Sequence, residues 1–190
     1  MLNQVIYDFA LWLDASRWST MLHESYYMYS WIETAHVLSL ILSLGMLFFI
    51  DLRMLGIALP QIPATTIAKR LQIPMFIGFG LMIITGLLLF YAVPLRSAQS
   101  VWFRIKLLLL VGAGVNALLF HYRMKQSVAS WNNAPLAPQN IRSGAVRSLV
   151  FWTLIVICGR LIAYDWYDCS SGQSDLTRVL AGCIDGQTQF

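Results

Sequence analysis

Four stretches of about twenty residues each run through this chain with almost no charge, and they restrict its fold more than any other feature. They extend from about Trp31 to Ile50, Pro74 to Val93, Val101 to Phe120 and Ser148 to Trp166. At 1.5 Å rise per residue, a helix of that length matches a hydrocarbon layer roughly 30 Å thick. Lipid offers no partner to a backbone amide, so extended segments of this kind would leave polar groups unsatisfied, whereas a helix satisfies its own. A soluble core would instead break such runs with solvated faces. Only 12% of the 190 residues are charged, against about 25% in a typical soluble domain. The chain therefore reads as an all-α integral membrane protein: a four-helix transmembrane bundle with a short outer interfacial helix.

The connections carry the orientation. Arg53, Lys69 and Arg70 lie between the first and second spans, and Arg123, Lys125, Arg142 and Arg147 between the third and fourth. These are seven of the thirteen basic residues. The N-terminal segment sets Arg17 against Asp8, Asp14 and Glu24, and the tail sets Arg178 against Asp168, Asp175 and Asp185. Lysine and arginine are retained on the cytoplasmic side, so both termini are expected in the periplasm of a bacterial inner-membrane protein. The net charge of +4 sits beside hydrophobic ends rather than in a stripe, which argues against a nucleic-acid partner.

Three segments follow: an outer surface segment at 1–30, the transmembrane domain at 31–166 and an outer tail at 167–190. The start lacks a basic n-region and carries Asp8 and Asp14, so it does not read as a cleaved signal peptide. Val5 to Leu13 is too short to span and suits a helix lying at the surface or across the bundle mouth. Tyr26, Tyr27, Tyr29 and Trp31 form an aromatic belt. The inner connection with Asn132, Asn133, Pro135 and Pro138 reads as irregular. In the tail, Cys169 and Cys183 are fourteen positions apart; in an oxidising compartment an internal disulfide is expected, with free thiols or cross-links to a partner as the alternatives. Cys158 falls within a span as a small core residue.

Ionisable groups inside a span are costly and point to function. Glu33 and His36 share a face of the first span. Arg104 and Lys106 enter the third at a similar depth, about 200° apart around the helix, so one snorkels while the other faces inward. Arg160 approaches the same layer from the fourth. One reading makes His36 an axial ligand of haem b, with Arg104, Lys106 or Arg160 on the propionates. The second ligand would come from His23, Met28, a symmetry-related His36 or a partner histidine. His121 lies roughly 25 Å deeper by helix rise, beyond reach of the same iron, and at the inner end of the third span it suits the helix dipole or an inner cofactor contact. A second reading makes the layer a quinone or small-anion pocket. A third makes His23 and His36, with methionines such as Met21, Met28 and Met46, a copper or other metal route. The plainest alternative pairs Glu33 with Arg160 to set bundle register. Asn116 reads as a helix–helix hydrogen-bonding residue, and Gly78, Gly86, Gly112 and Gly114 as points of close approach. Gly45 and Gly159 suit either a neighbouring helix or a flat cofactor.

These residues carry a resemblance. An E-T-x-H start (Glu33, Thr34, His36), a D-L-R stop (Asp51, Leu52, Arg53) and an F-x-x-K…N…F-H third span (Phe103, Lys106, Asn116, His121) resemble an uncharacterised family of small four-helix bacterial inner-membrane proteins. The likeness covers about Trp31 to Arg160 and implies no activity. Likeness to four-helix b-type cytochromes or copper-resistance membrane domains concerns architecture alone, because this chain has only three histidines. No nucleophile–base pair, phosphate loop or zinc signature points to a free-standing enzyme. The expectation is a membrane subunit of an electron-transfer assembly, or a noncatalytic structural or assembly subunit. Its partners would be the lipid bilayer, other membrane subunits or a second copy, and a periplasmic redox protein.

Overall fold

The computed structural model describes residues 2–25, 27–164, 167–169 and 174–184. Tyr26, Trp166 and Asp185, invoked for the aromatic belt, the end of the fourth span and the acidic tail, lie outside the described residues. The fold is all-helical. Its elements are α1 (Leu2–Asp14), α2 (Arg17–Glu24), α3 (Met28–Met54), α4 (Ala64–Ala92), α5 (Pro94–Ala98), α6 (Val101–Trp131), α7 (Gln139–Ile162) and α8 (Asp175–Ala181).

Four of them, α3, α4, α6 and α7, are long and apolar enough to cross a membrane. Their exposed side chains are largely aliphatic or aromatic, including Ile41, Ile73, Phe76, Leu108, Val111 and Leu118. A soluble domain rarely exposes apolar surface on that scale, and lipid is the solvent that fits it. The expectation of four helices and one surface helix undercounts the chain: eight helices are described. The additions are α2, α5 and α8, short amphipathic or capped segments that carry no long apolar run.

The long helices also outrun the apolar stretches. The second starts ten residues before Pro74, which lies inside α4. The third continues beyond Phe120 to Trp131, and the fourth begins at Gln139. A helix that already satisfies its own amides loses nothing by continuing into water, so hydropathy marks the lipid-facing portion and not the helix end.

The contacts group the chain into two compact units, one of Met1–Ala35, Ile84–Leu108 and Ile155–Phe190, the other of His36–Ile83 and Leu109–Leu154. In the second, Ile50 and Met54 of α3, Ala64 and Ile67 of α4, Trp131 of α6, and Ile141 and Ala145 of α7 form one buried cluster. The connection after α6 is irregular, as its prolines imply, and it caps a neighbour. Asn132 accepts from the first amides of α4, through its carbonyl from Ala64 N at 3.1 Å and through Oδ1 from Thr65 N at 2.9 Å. Two orphan donors of that helix start are satisfied in this way. Gly78 of α4 meets α3 so closely that a Cβ would stand 2.8 Å from Ser43 N, and Gly112 packs against the Phe151 ring. No neighbour lies within 4 Å of where a Cβ at Gly45 or Gly114 would stand, so these two are not points of close approach.

In the first unit, Ser16 caps α2 by accepting from Ser19 N at 3.2 Å. The Ser16 hydroxyl meets the Tyr91 hydroxyl at 2.7 Å, and Ser19 donates to Tyr91 O at 2.9 Å. The surface segment is thereby fastened to the end of α4, while α1 packs on α5. Cys169 and Cys183 form the expected disulfide. Closing a loop of that size stabilises the fold by about 3 kcal/mol in the chain-entropy model. α8 begins at a Ser174 cap and ends in a Schellman pair, Cys183 N to Arg178 O at 2.9 Å and Gly182 N to Val179 O at 3.2 Å. Gly182 has φ +73°, the left-handed position this motif requires.

Candidate functional site

The ionisable residues of the apolar helices have different immediate neighbours. Arg104 reaches out of α6 to the surface elements of its unit. Its Nη1 donates to Asn3 Oδ1 at 3.2 Å and its Nε to Ala98 O at 3.4 Å. Its guanidinium also occupies the space a Cβ at Gly182 would need. One planar, multiply donating cation thus links α1, α5 and the turn after α8, as the fork geometry of arginine allows. Lys106, on another face of α6, directs Nζ to within 3.5 Å of where a Cβ at Gly159 would stand. The buried thiol of Cys158 is its electrostatic neighbour.

Glu33 is exposed. Arg160 is exposed as well and sits over the Tyr164 ring, 4.8 Å from its centroid, a cation–π geometry. The register-setting pair of Glu33 with Arg160 is therefore not formed among the described residues. His36 is half-buried, and its carbonyl accepts from Ser39 Oγ at 2.8 Å. His121 is exposed and is not at a helix end, because α6 continues to Trp131; the dipole argument for it fails for that reason. His23, at the end of α2, lines a cavity of about 350 Å³ with Glu24, Tyr29, Ser30 and Arg96. Among the described residues no group of three or more His, Cys, Asp or Glu could hold a metal ion.

The second unit holds polar groups whose burial hydropathy did not reveal. Asp51 and Arg53 read as a solvated stop after the first span, yet they are only 2% and 0% exposed. Arg53 donates from Nε to Ile62 O at 2.7 Å, from Nη2 to Ala134 O at 3.0 Å and from Nη1 to Pro135 O at 3.4 Å. It therefore joins both irregular connections of its unit to α3. Asp51 is hydrogen-bonded to Ser148, and its Oδ2 is buried without a hydrogen-bond partner. Asn116 acts between helices as expected. Its Nδ2 donates to Gly144 O at 3.0 Å, and its Oδ1 accepts from Arg147 Nε at 3.2 Å.

Sequence reasoning passed over Glu24 and Arg96 as partners of His23. The available signal was a proline-initiated segment, Pro94 to Arg96, in the connection after the second span. The burial of Arg53 had no comparable signal, since its acceptors are loop carbonyls remote in sequence.

No curated protein and no solved structure matches the chain significantly. A model of a family of unknown function, DUF6644, matches residues 12–165. That match takes in all four apolar helices in full and extends into the surface segment, and by it the chain belongs to the DUF6644 family.

Proposed function

We propose that this chain is a noncatalytic multi-pass subunit of a bacterial inner membrane that offers a braced periplasmic cap to partner membrane proteins. One observation carries the reading. Arg104, one of the three cations offered to haem propionates, is engaged by Asn3, Ala98 and the Gly182 turn, the contacts that brace the cap together with the Cys169–Cys183 disulfide. A surface closed by a disulfide and tied by Arg104 suits docking, because less conformational freedom is lost on association. The periplasmic assignment follows from the basic residues of the two connections.

Electron transfer through haem b or quinone is the second reading. It rests on His36, a half-buried imidazole within α3, where ionisable groups usually serve a purpose. His23, Glu33, Lys106, Arg160 and His121 are the other residues it would draw on, with a second copy or a partner subunit as a further source of ligands. An absorption spectrum of the detergent-purified protein, with identification of whatever co-purifies, separates the two. A colourless protein held in a larger complex supports the docking subunit. A reduced-state b-type Soret and alpha band, abolished by His36→Ala, overturns it in favour of the cytochrome.

A further inference from the structure

We propose that the cavity framed by the end of α2, the start of α3 and α5 binds a zwitterionic phosphoethanolamine group. Its phosphate would face Arg96 and His23, and its ammonium Glu24. The volume is about 350 Å³, near the lower limit for ligand sites, which suits a headgroup with its first glycerol atoms. The lining carries both signs of charge. Arg96, half-buried, presents a planar fork of donors matched to phosphate oxygens, and the imidazole of His23 adds another donor. The first turn of α3 contributes the positive end of a 27-residue helix, and Ser30 supplies a hydroxyl on that turn.

Glu24 decides the class of ligand. Beside a purely anionic headgroup, its carboxylate would repel the ligand, whereas an ammonium would satisfy it. A choline group is cationic but cannot donate a hydrogen bond. The neighbouring chain points to lipid as the source: Tyr27 and Trp31, each two residues from Tyr29 in sequence, are exposed at 68% and 71%, and amphipathic aromatic residues sit at headgroup level. Free phosphoethanolamine shares the same two-charge chemistry and is the other source to distinguish.

The test is native mass spectrometry of the full chain in detergent, loaded separately with phosphatidylethanolamine, phosphatidylglycerol or phosphatidylcholine. Wild type is expected to retain phosphatidylethanolamine about tenfold better than the other two, a difference of about 1.4 kcal/mol. Arg96→Gln should lower its retention about tenfold. Glu24→Gln, at an exposed position that should fold normally, should remove the preference over phosphatidylglycerol while binding persists. Displacement of the lipid by millimolar O-phosphoethanolamine would assign the site to a soluble zwitterion and keep the two-charge recognition. Equal retention of all three lipids by wild type, or wild-type retention in Arg96→Gln, overturns the proposal.

Discussion

Arg53 offers the sharpest test of how this fold uses charge. Its side chain is 0% exposed and donates to Ile62 O at 2.7 Å, Ala134 O at 3.0 Å and Pro135 O at 3.4 Å. Hydrogen bonds from a charged group contribute about 1.5–3 kcal/mol each. The contact at 3.4 Å is too long to count fully, so the two short bonds bound the contribution at about 3–6 kcal/mol. Arg53→Met keeps most of the apolar stem, and the freed loop carbonyls recover part of the loss by hydration. The expected destabilisation is therefore about 3 kcal/mol, near the lower end for breaking a buried charged network. For a chain of this length, that lowers Tm by roughly 6–12 °C, measurable by thermal unfolding in detergent. Proteolysis within the 132–138 connection should accelerate in parallel, because that loop loses its tie to α3. Arg53→Lys should recover less than half of the loss, since a single ammonium cannot span acceptors in two separate connections. A Met variant within about 0.5 kcal/mol of wild type, or a Lys variant equal to wild type, would refute the reasoning.

Other expectations follow from close contacts and cross-links. Gly78→Ala forces a Cβ to 2.8 Å from Ser43 N, a backbone atom that cannot swing aside, and should cost about 1–3 kcal/mol; Gly114→Ala, with open space at the same point, should stay within about 0.5 kcal/mol in the same thermal assay. Cys169→Ser with Cys183→Ser removes the disulfide and should cost about 3 kcal/mol. Dithiothreitol should bring wild type to the same Tm and the same gel mobility, whereas the variant should not respond. Asn116→Leu deletes the bonds to Gly144 O and Arg147 and should cost about 0.6–1.7 kcal/mol, between the mean and the maximum measured for hydrogen bonds between membrane helices.

The architecture was legible because lipid imposes a length and a composition on whatever crosses it. The four apolar runs became α3, α4, α6 and α7, the paired cysteines met, and Asn116 joined two helices. The ends of those helices were not legible. Residues such as Lys69, Arg70, Arg123 and Lys125 are helical, but their polarity made them resemble loops, since hydropathy reports the solvent and not the backbone. The surface helices α2 and α5 escaped for the opposite reason: they are too short for a periodic pattern, and their start signals, the Ser16 cap and Pro94 at the first helical position, are single residues.

The site was harder still, because sequence gives the depth of a charge along a helix but not the identity of what it meets. Position along the apolar runs puts Glu33, His36, Arg104, Lys106 and Arg160 at one expected depth, and that alone suggested a common ligand. Depth leaves the direction around the helix axis open, and neighbours on the same helix diverge: Arg104 turns toward the surface elements while Lys106 lies over Gly159. It also omits the carbonyls of irregular connections, which Arg53 uses three times over. A membrane helix must give a buried cation some partner, but backbone oxygen satisfies that demand as well as a cofactor does. A charge within a span therefore argues for a cofactor only when its donors are left over after the loops have been served. Arg53 and Arg104 brace the fold in this way, and the case for a bound ligand rests instead on the cavity where Arg96, His23 and Glu24 bring both signs of charge together.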